Sequence, residues 1–181
     1  MKKVVIIDDF LDNPEEIVAM VGKEIELRPP DESELKSWEG LRSNNLLEIN
    51  EEVFAPILFK AIHAYLGEDS NVQFGAEMHF HLHVTGDDED SYPWQNYRIH
   101  RDKNASIAGV LYLTKNPEPN TGTEMTDWDV TRTELMCEAK YNRIILFAGG
   151  EVPHGPVGVQ GSSLEDGRLV MIFFINDMRP E

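Results

Sequence analysis

Val72-Gln73-Phe74-Gly75-Ala76-Glu77-Met78-His79-Phe80-His81-Leu82-His83-Val84 is the stretch that decides the fold class of this 181-residue chain. Val72, Phe74, Ala76, Met78, Phe80, Leu82 and Val84 alternate with Gln73, Gly75, Glu77, His79, His81 and His83. A period of two predicts one long strand with an apolar face and a polar, histidine-rich face.

On the N-terminal side the period is helical. Val53, Phe54, Ile57, Leu58, Ala61, Ile62, Tyr65 and Leu66 recur at three and four residues, which predicts a helix over 51–66 with one buried stripe. Asn50 is placed to cap it, Gly67 to stop it, and His63 falls off the stripe toward solvent. A shorter helix is expected after Asn13-Pro14-Glu15-Glu16, with Asn13 as cap, Pro14 in the first turn and Ile17, Val18, Met20 and Val21 as its apolar face. Val4-Val5-Ile6-Ile7 reads as a short buried strand, and the polar segment 24–50 as a long irregular connection. On the C-terminal side, strands are expected over 97–102, 107–114, 142–148 and 168–175, with short strands inside 115–141.

Helices followed by a run of strands predict a mainly β protein with N-terminal helices, in which the strands close into a sandwich or barrel. Alternating βαβ units are absent, as are GxGxxG and GxxxxGK[ST], so nothing in the chain points to a nucleotide fold. The length suits one domain over 1–181, with 1–70 as a helical support region and 71–178 as the β core.

Sixteen basic residues against 33 acidic ones give a formal net charge of -17. Such a surface repels phosphate backbones and anionic lipid, so neither nucleic acid nor membrane is an expected partner. An anionic small molecule stays open, because a few arginines make a pocket locally positive. Cys137 is the single cysteine, which excludes an intramolecular disulfide, a thiolate zinc cluster and a CxxC redox pair. The apolar run after Met1-Lys2-Lys3 ends at Asp8-Asp9, too short for a signal peptide, and the chain reads as soluble and cytoplasmic.

The chemistry gathers around Ile99-His100-Arg101-Asp102. On a strand, His100 and Asp102 share a face while Arg101 points away, so one imidazole and one carboxylate offer a metal edge. His154, in the tight loop Gly149-Gly150-Glu151-Val152-Pro153-His154 after an apolar strand, is the candidate third ligand. Two histidines and one carboxylate on one side of an ion leave the opposite positions open, the ligand set of non-haem Fe(II) and oxygen chemistry. Arg168 heads the apolar run Leu169-Val170-Met171-Ile172-Phe173-Phe174. A guanidinium facing inward there needs a partner: either a dicarboxylate ligand, or a neighbouring acid such as Asp166. Tyr112 is placed to donate its phenol to the same carboxylate, or is an ordinary strand tyrosine.

With His100 and Asp102, Tyr112-Leu113, Thr121-Gly122-Thr123-Glu124, the apolar 142–147 leading to His154, and then Arg168, the region 97–175 resembles the prolyl-hydroxylase-like branch of the 2-oxoglutarate/Fe(II) oxygenases. The opening Ile7-Asp8-Asp9-Phe10-Leu11 before a helix is similar to the start of that group. The resemblance implies a double-stranded β-helix (a jelly roll, cupin-like), with Fe(II) on His100, Asp102 and His154 as the catalytic centre. It implies 2-oxoglutarate anchored by Arg168 with help from Tyr112, O2 as oxidant, and ascorbate as a supporting reductant. The implied reaction hydroxylates a C–H bond of a peptide side chain or small molecule and decarboxylates 2-oxoglutarate to succinate. His81 and His83 are the expected contacts of substrate or co-substrate, and Trp94 and Tyr97 of substrate, with the acidic 87–90 loop, Trp94, Tyr97 and Trp128 as a rim selecting a peptide or a cationic molecule. The sequence departs from the family in a long, glycine- and serine-rich stretch between His154 and Arg168, and in Thr121 where a second glycine is common.

Two other classes compete. His79, His81 and His83 share a strand face within chelating reach, which is the mark of a cupin-like zinc or manganese protein or a metal-binding module. A non-catalytic jelly-roll interaction module would have lost a ligand, and none is missing. A serine hydrolase is disfavoured, since there is no GxSxG and Ser162-Ser163 lacks an orienting acid. No feature of the sequence requires an oligomer.

Overall fold

The computed structural model describes residues 3–30, 40–83, 99–158, 161 and 163–180. The decisive stretch is a single strand, β3 (Val72–His83), and it lies next to the last strand, β9 (Arg168–Pro180). These two belong to a six-stranded sheet of order β1-β7-β4-β9-β3-β2, completed by β1 (Val4–Ile7), β2 (Leu41–Arg42), β4 (Ala105–Tyr112) and β7 (Ile144–Phe147). A second, three-stranded sheet of order β6-β5-β8 consists of β5 (Gly122–Thr126), β6 (Thr133–Glu138) and β8 (His154–Val157). Every pairing between these strands is antiparallel. Two antiparallel sheets with helices on the outside of one make a jelly roll, the double-stranded β-helix expected from the sequence.

The alternation of β3 becomes two separate cores. Met78, Phe80 and Leu82 face outward and join Leu111, Ile144, Leu146, Met171 and Phe173 in a cluster that the helices cover. α1 (Pro14–Met20), α2 (Leu46–Ile49) and α3 (Glu51–Leu66) supply its outer half, with Phe54 meeting Phe80 edge-on at 6.0 Å between ring centroids. The opposite face of the large sheet contributes Ala108, Tyr112, Ile145, Phe147, Val170 and Ile172 to a second cluster with Met125 and Cys137 of the small sheet. Burial of Leu- or Phe-sized side chains on both faces, at about 1.5–3 kcal/mol each, locks the register, because a one-residue slip would exchange the two faces.

α3 follows its sequence signals closely. The Asn50 side chain accepts from the Val53 N–H, Gly67 ends the helix at φ 109°, and His63 is exposed. Asn13 precedes α1 but makes no side-chain cap bond. Segment 24–50 is less irregular than expected: β2 adds to the edge of the large sheet, and α2 is capped by Asn45. Their brevity explains why no periodicity announced them. Within the described part of the strand expected over 97–102, only an isolated bridge at His100 forms. Among the described residues, no helix is long and apolar enough to cross a membrane.

Candidate active site

His100 and His154 meet through their backbones. Each donates its N–H to the other's carbonyl, at 2.8 and 2.9 Å, joining the start of β8 to the segment before β4. Asp102 is held next to them by its own N–H, which donates to the Gly149 carbonyl at 3.0 Å. Gly149 is required there: a Cβ would lie 2.8 Å from that of Ala108 and 3.3 Å from that of Asp102. The side chains converge accordingly. His154 Nε2 is 3.2 Å from Asp102 Oδ2 and His100 Nε2 is 3.6 Å from Asp102 Oδ1. One ligand atom from each residue lies within 4.8 Å of the others.

Those separations suit a shared ion, since two donors each about 2.1 Å from a metal and at right angles stand about 3 Å apart. The donor set, two imidazoles and a carboxylate, matches ferrous chemistry. His154 is also oriented for ligation: its Nδ1 donates to the Val152 carbonyl at 2.8 Å, leaving Nε2 with its lone pair toward Asp102. Its ring packs edge-on against Phe147 at 4.4 Å. Exposure falls from 49% for the His100 side chain to 16% for Asp102 and 8% for His154, so the cluster opens on the His100 side only. Arg101 points the other way and stacks on Trp128, 3.8 Å from the ring centroid.

Arg168 is on the same inner surface, at the opposite end of β8. Its Nη1 donates to the carbonyls of Val157 and Gly122, at 2.9 and 3.2 Å, and so ties β9 to the small sheet. Gly122 adopts φ 154°, where a Cβ would collide with the Cys137 carbonyl. Its conformation lets the carbonyl turn to the guanidinium. Arg168 is 3% exposed, Nε has no hydrogen-bond partner, and among the described residues no carboxylate pairs with it. Burial lowers its pKa from the ordinary guanidinium value. Asp166, the acid expected as a possible partner, instead accepts from the N–H and hydroxyl of Ser163. A buried cation with an open donor and no acid nearby is a costly arrangement for stability alone and a suitable one for an incoming carboxylate.

Tyr112 is close to Arg168, since its strand partner is Val170, two residues along the same face. Its hydroxyl donates to Thr123 Oγ1 at 2.7 Å, and burial raises its pKa, so it stays a neutral phenol. Thr123 was not anticipated. Only its position opposite Tyr112 across the two sheets marks it, and no spacing in the sequence encodes that. His81 and His83 also lie on this surface, as cross-strand partners of Val170 and Arg168. Trp94, Tyr97 and the 87–90 loop lie outside the described residues.

The rival histidine site does not assemble. His81 Nδ1 faces the Arg42 guanidinium at 3.0 Å, and His79 Nδ1 donates to the Ser43 carbonyl at 3.0 Å. Among the described residues, only His100, Asp102 and His154 form a metal-sized group.

No family model matches the chain. No curated protein matches it either. Solved structures do. A prolyl-4-hydroxylase of Pseudomonas putida aligns over 97% of this chain and 93% of its own, at 19% identity and a TM-score of 0.54. A Trichoplax adhaerens prolyl hydroxylase, solved with a hypoxia inducible factor peptide fragment, aligns over 97% and 84% at 10% identity and a TM-score of 0.56. SnoN, a non-heme alpha-ketoglutarate-dependent epimerase of nogalamycin biosynthesis, aligns over 97% and 79% at 12% identity and a TM-score of 0.59. At these identities the likeness is one of fold: the chain shares the jelly roll of these enzymes along nearly its whole length.

Proposed function

We propose that this protein is an Fe(II)- and 2-oxoglutarate-dependent oxygenase that hydroxylates a C–H bond, with His100, Asp102 and His154 as the iron ligands and Arg168 as the anchor of the co-substrate's distal carboxylate. The observation that carries this reading is the distance between two incomplete groups on one inner surface. His154 and Val157 bound a three-residue strand step, about 10 Å at 3.3 Å per residue, with the metal-sized cluster at one end and the unpaired Arg168 at the other. A short dicarboxylate that chelates a metal through one end fits this span.

The bound iron would supply oxygen activation, with 2-oxoglutarate as the two-electron reductant. One oxygen atom of O2 enters the substrate as a hydroxyl and the other enters succinate as CO2 leaves. The chain's own share is positioning. The Val152 carbonyl fixes the His154 tautomer, the Gly149 carbonyl fixes Asp102, and the buried Arg168 receives the carboxylate beside the buried Tyr112–Thr123 pair. His100, on the exposed side, faces the direction from which substrate arrives.

The substrate class we favour is a peptide or protein side chain, with a small molecule as the other choice. The peptide bound to the Trichoplax adhaerens relative supports the first and the SnoN likeness the second. We assign Trp94 and Tyr97 to the approach to this site and His81 and His83 to its inner surface beside Arg168, and place the enzyme in the cytoplasm, where a lone thiol and ferrous iron both stay reduced. The test is succinate formation from 2-oxoglutarate by protein supplied with Fe(II), ascorbate and O2 but no substrate. Slow turnover abolished by His154→Ala and by Arg168→Ala supports the proposal. No succinate, together with no metal-dependent 2-oxoglutarate binding, refutes it.

A further inference from the structure

The inner face of β3 holds a second set of polar side chains that the reading above leaves without a specific task. His83 is the cross-strand partner of Arg168, and His81 that of Val170, so both imidazoles stand beside Arg168 and on the face that bears Tyr112. Their rings stack with centroids 4.2 Å apart and planes 7° apart. His81 is buried and held from β2, with Arg42 Nη2 3.0 Å from its Nδ1. A guanidinium has only protons to offer, so Nδ1 is the acceptor there and the His81 ring proton is on Nε2.

His83 differs from His81. Among the described residues, neither of its ring nitrogens has a hydrogen-bond partner. The charged and titratable groups around it are His81 from its own strand, Arg168 from β9 and Arg42 from β2, with the Tyr112 phenol of β4 across β9. None is a carboxylate. Burial first, and then these neighbours, hold His83 well below the ordinary imidazole value, so the ring is neutral. Among the described residues the group is complete on its basic side and lacks an anion.

We propose that His83 is a second anchor for the carboxylate that Arg168 receives, donating a ring N–H to it from the adjoining strand while His81 and Arg42 hold the ring in place. This rests on the reading that the inner surface takes the distal end of a 2-oxo dicarboxylic acid. A carboxylate arriving between Arg168 and His83 replaces repulsion of a ring proton by attraction. Binding therefore takes up a proton. The sign follows: His83 has a higher pKa in the complex than in the free protein, so affinity rises as pH falls through the complex's value and the gain is lost above it.

The test is calorimetric binding of 2-oxoglutarate to the full chain loaded with Mn(II), at about pH 6 and about pH 8, on either side of an imidazole's range. 2-Oxobutyrate, which keeps the chelating end but has no distal carboxylate, is the control for metal-linked effects. The wild type should bind 2-oxoglutarate several-fold more tightly at the lower pH, with a heat that depends on the buffer's ionisation, and 2-oxobutyrate should show neither effect. His83→Phe should weaken 2-oxoglutarate about ten-fold, the loss of one charge-assisted hydrogen bond, erase the pH dependence and leave 2-oxobutyrate unchanged. His83→Gln keeps a donor without a titrating group, so it should match the wild type at the higher pH and fail to gain at the lower. If both variants bind 2-oxoglutarate with the wild-type affinity and pH profile while Arg168→Ala does not bind it, the role of His83 is overturned and the oxygenase reading stands. If the wild type itself does not bind 2-oxoglutarate, the oxygenase reading fails and this inference with it.

Discussion

His154 Nε2 stands 3.2 Å from Asp102 Oδ2, and among the described residues only the His100 imidazole joins them in a metal-sized group. These three side chains are brought together by backbone bonds, His100 to His154 and Asp102 to Gly149. The site is thus preorganised by the sheet, and its predictions concern metal and co-substrate more than folding.

Metal should stabilise the protein through these three residues alone. Fe(II), or Co(II) as a spectroscopic substitute, should raise the melting temperature of the wild type by mass action. Asp102→Ala should abolish that rise and lower turnover by at least about a thousand-fold, since a missing ligand removes the reaction's metal. Thermal melts with and without metal check the first part. A metal-dependent shift that persists in Asp102→Ala would remove Asp102 from the ligand set.

Arg168 should trade stability for binding. Replacing it by methionine, of similar length and uncharged, removes a buried cation that has no acid partner among the described residues but also two bonds to the carbonyls of Gly122 and Val157. Stability without ligand should be unchanged or higher by about 1 kcal/mol, as for other buried charges replaced by apolar residues. The Kd for 2-oxoglutarate should rise by two orders of magnitude or more, the loss of about 3 kcal/mol from a charged bidentate contact. Denaturant melts and calorimetry separate the two effects.

Gly149→Ala should damage the site more than the fold. The added methyl meets the side chains of Ala108, Ala105 and Asp102. Relieving that overlap costs about 1–3 kcal/mol, as overpacking usually does, and pushes Asp102 away from His154. The expected result is a folded protein, by circular dichroism, with metal affinity reduced at least ten-fold. Wild-type metal affinity in a folded Gly149→Ala would show that Asp102 is not positioned by this contact.

Asp8 should link the N-terminal strand to the sheet in a pH-dependent way. Hydrogen bonds from Arg143 and Lys140 hold its carboxyl well below the usual carboxylate range. A lowered pKa means that the stabilisation is present at neutral pH and above the ordinary carboxylate value, and is lost as pH falls through the folded-state value. The pair is partly exposed, so the contribution is discounted to about 1 kcal/mol. Asp8→Asn should melt lower than the wild type at neutral pH and approach it in strong acid; a constant difference across that range would place the effect elsewhere.

The grouping of His100 with Asp102 is expected from a two-residue strand step, but only an isolated bridge at His100 forms there; His100 and Asp102 nevertheless gather with His154, and Arg101 stacks on Trp128. The period of β3 sorted Met78, Phe80 and Leu82 from His79, His81 and His83, and the stripe and caps of α3 marked its ends. These are properties of a backbone segment and its own side chains, and they need no knowledge of neighbours.

Which segments become neighbours was settled only by the tertiary structure. Asp166 is near Arg168 in sequence and could have neutralised it, yet it turns to Ser163, and the guanidinium is left facing carbonyls of the other sheet. The three histidines of β3 could have chelated a metal, yet β2 brings Arg42 against His81, and a fixed cation there opposes metal binding. Thr123 and Gly149 acquire their importance in the same way, from what lies opposite them. Strand order is decided by long-range burial summed over the whole sheet, and no local spacing contains that sum.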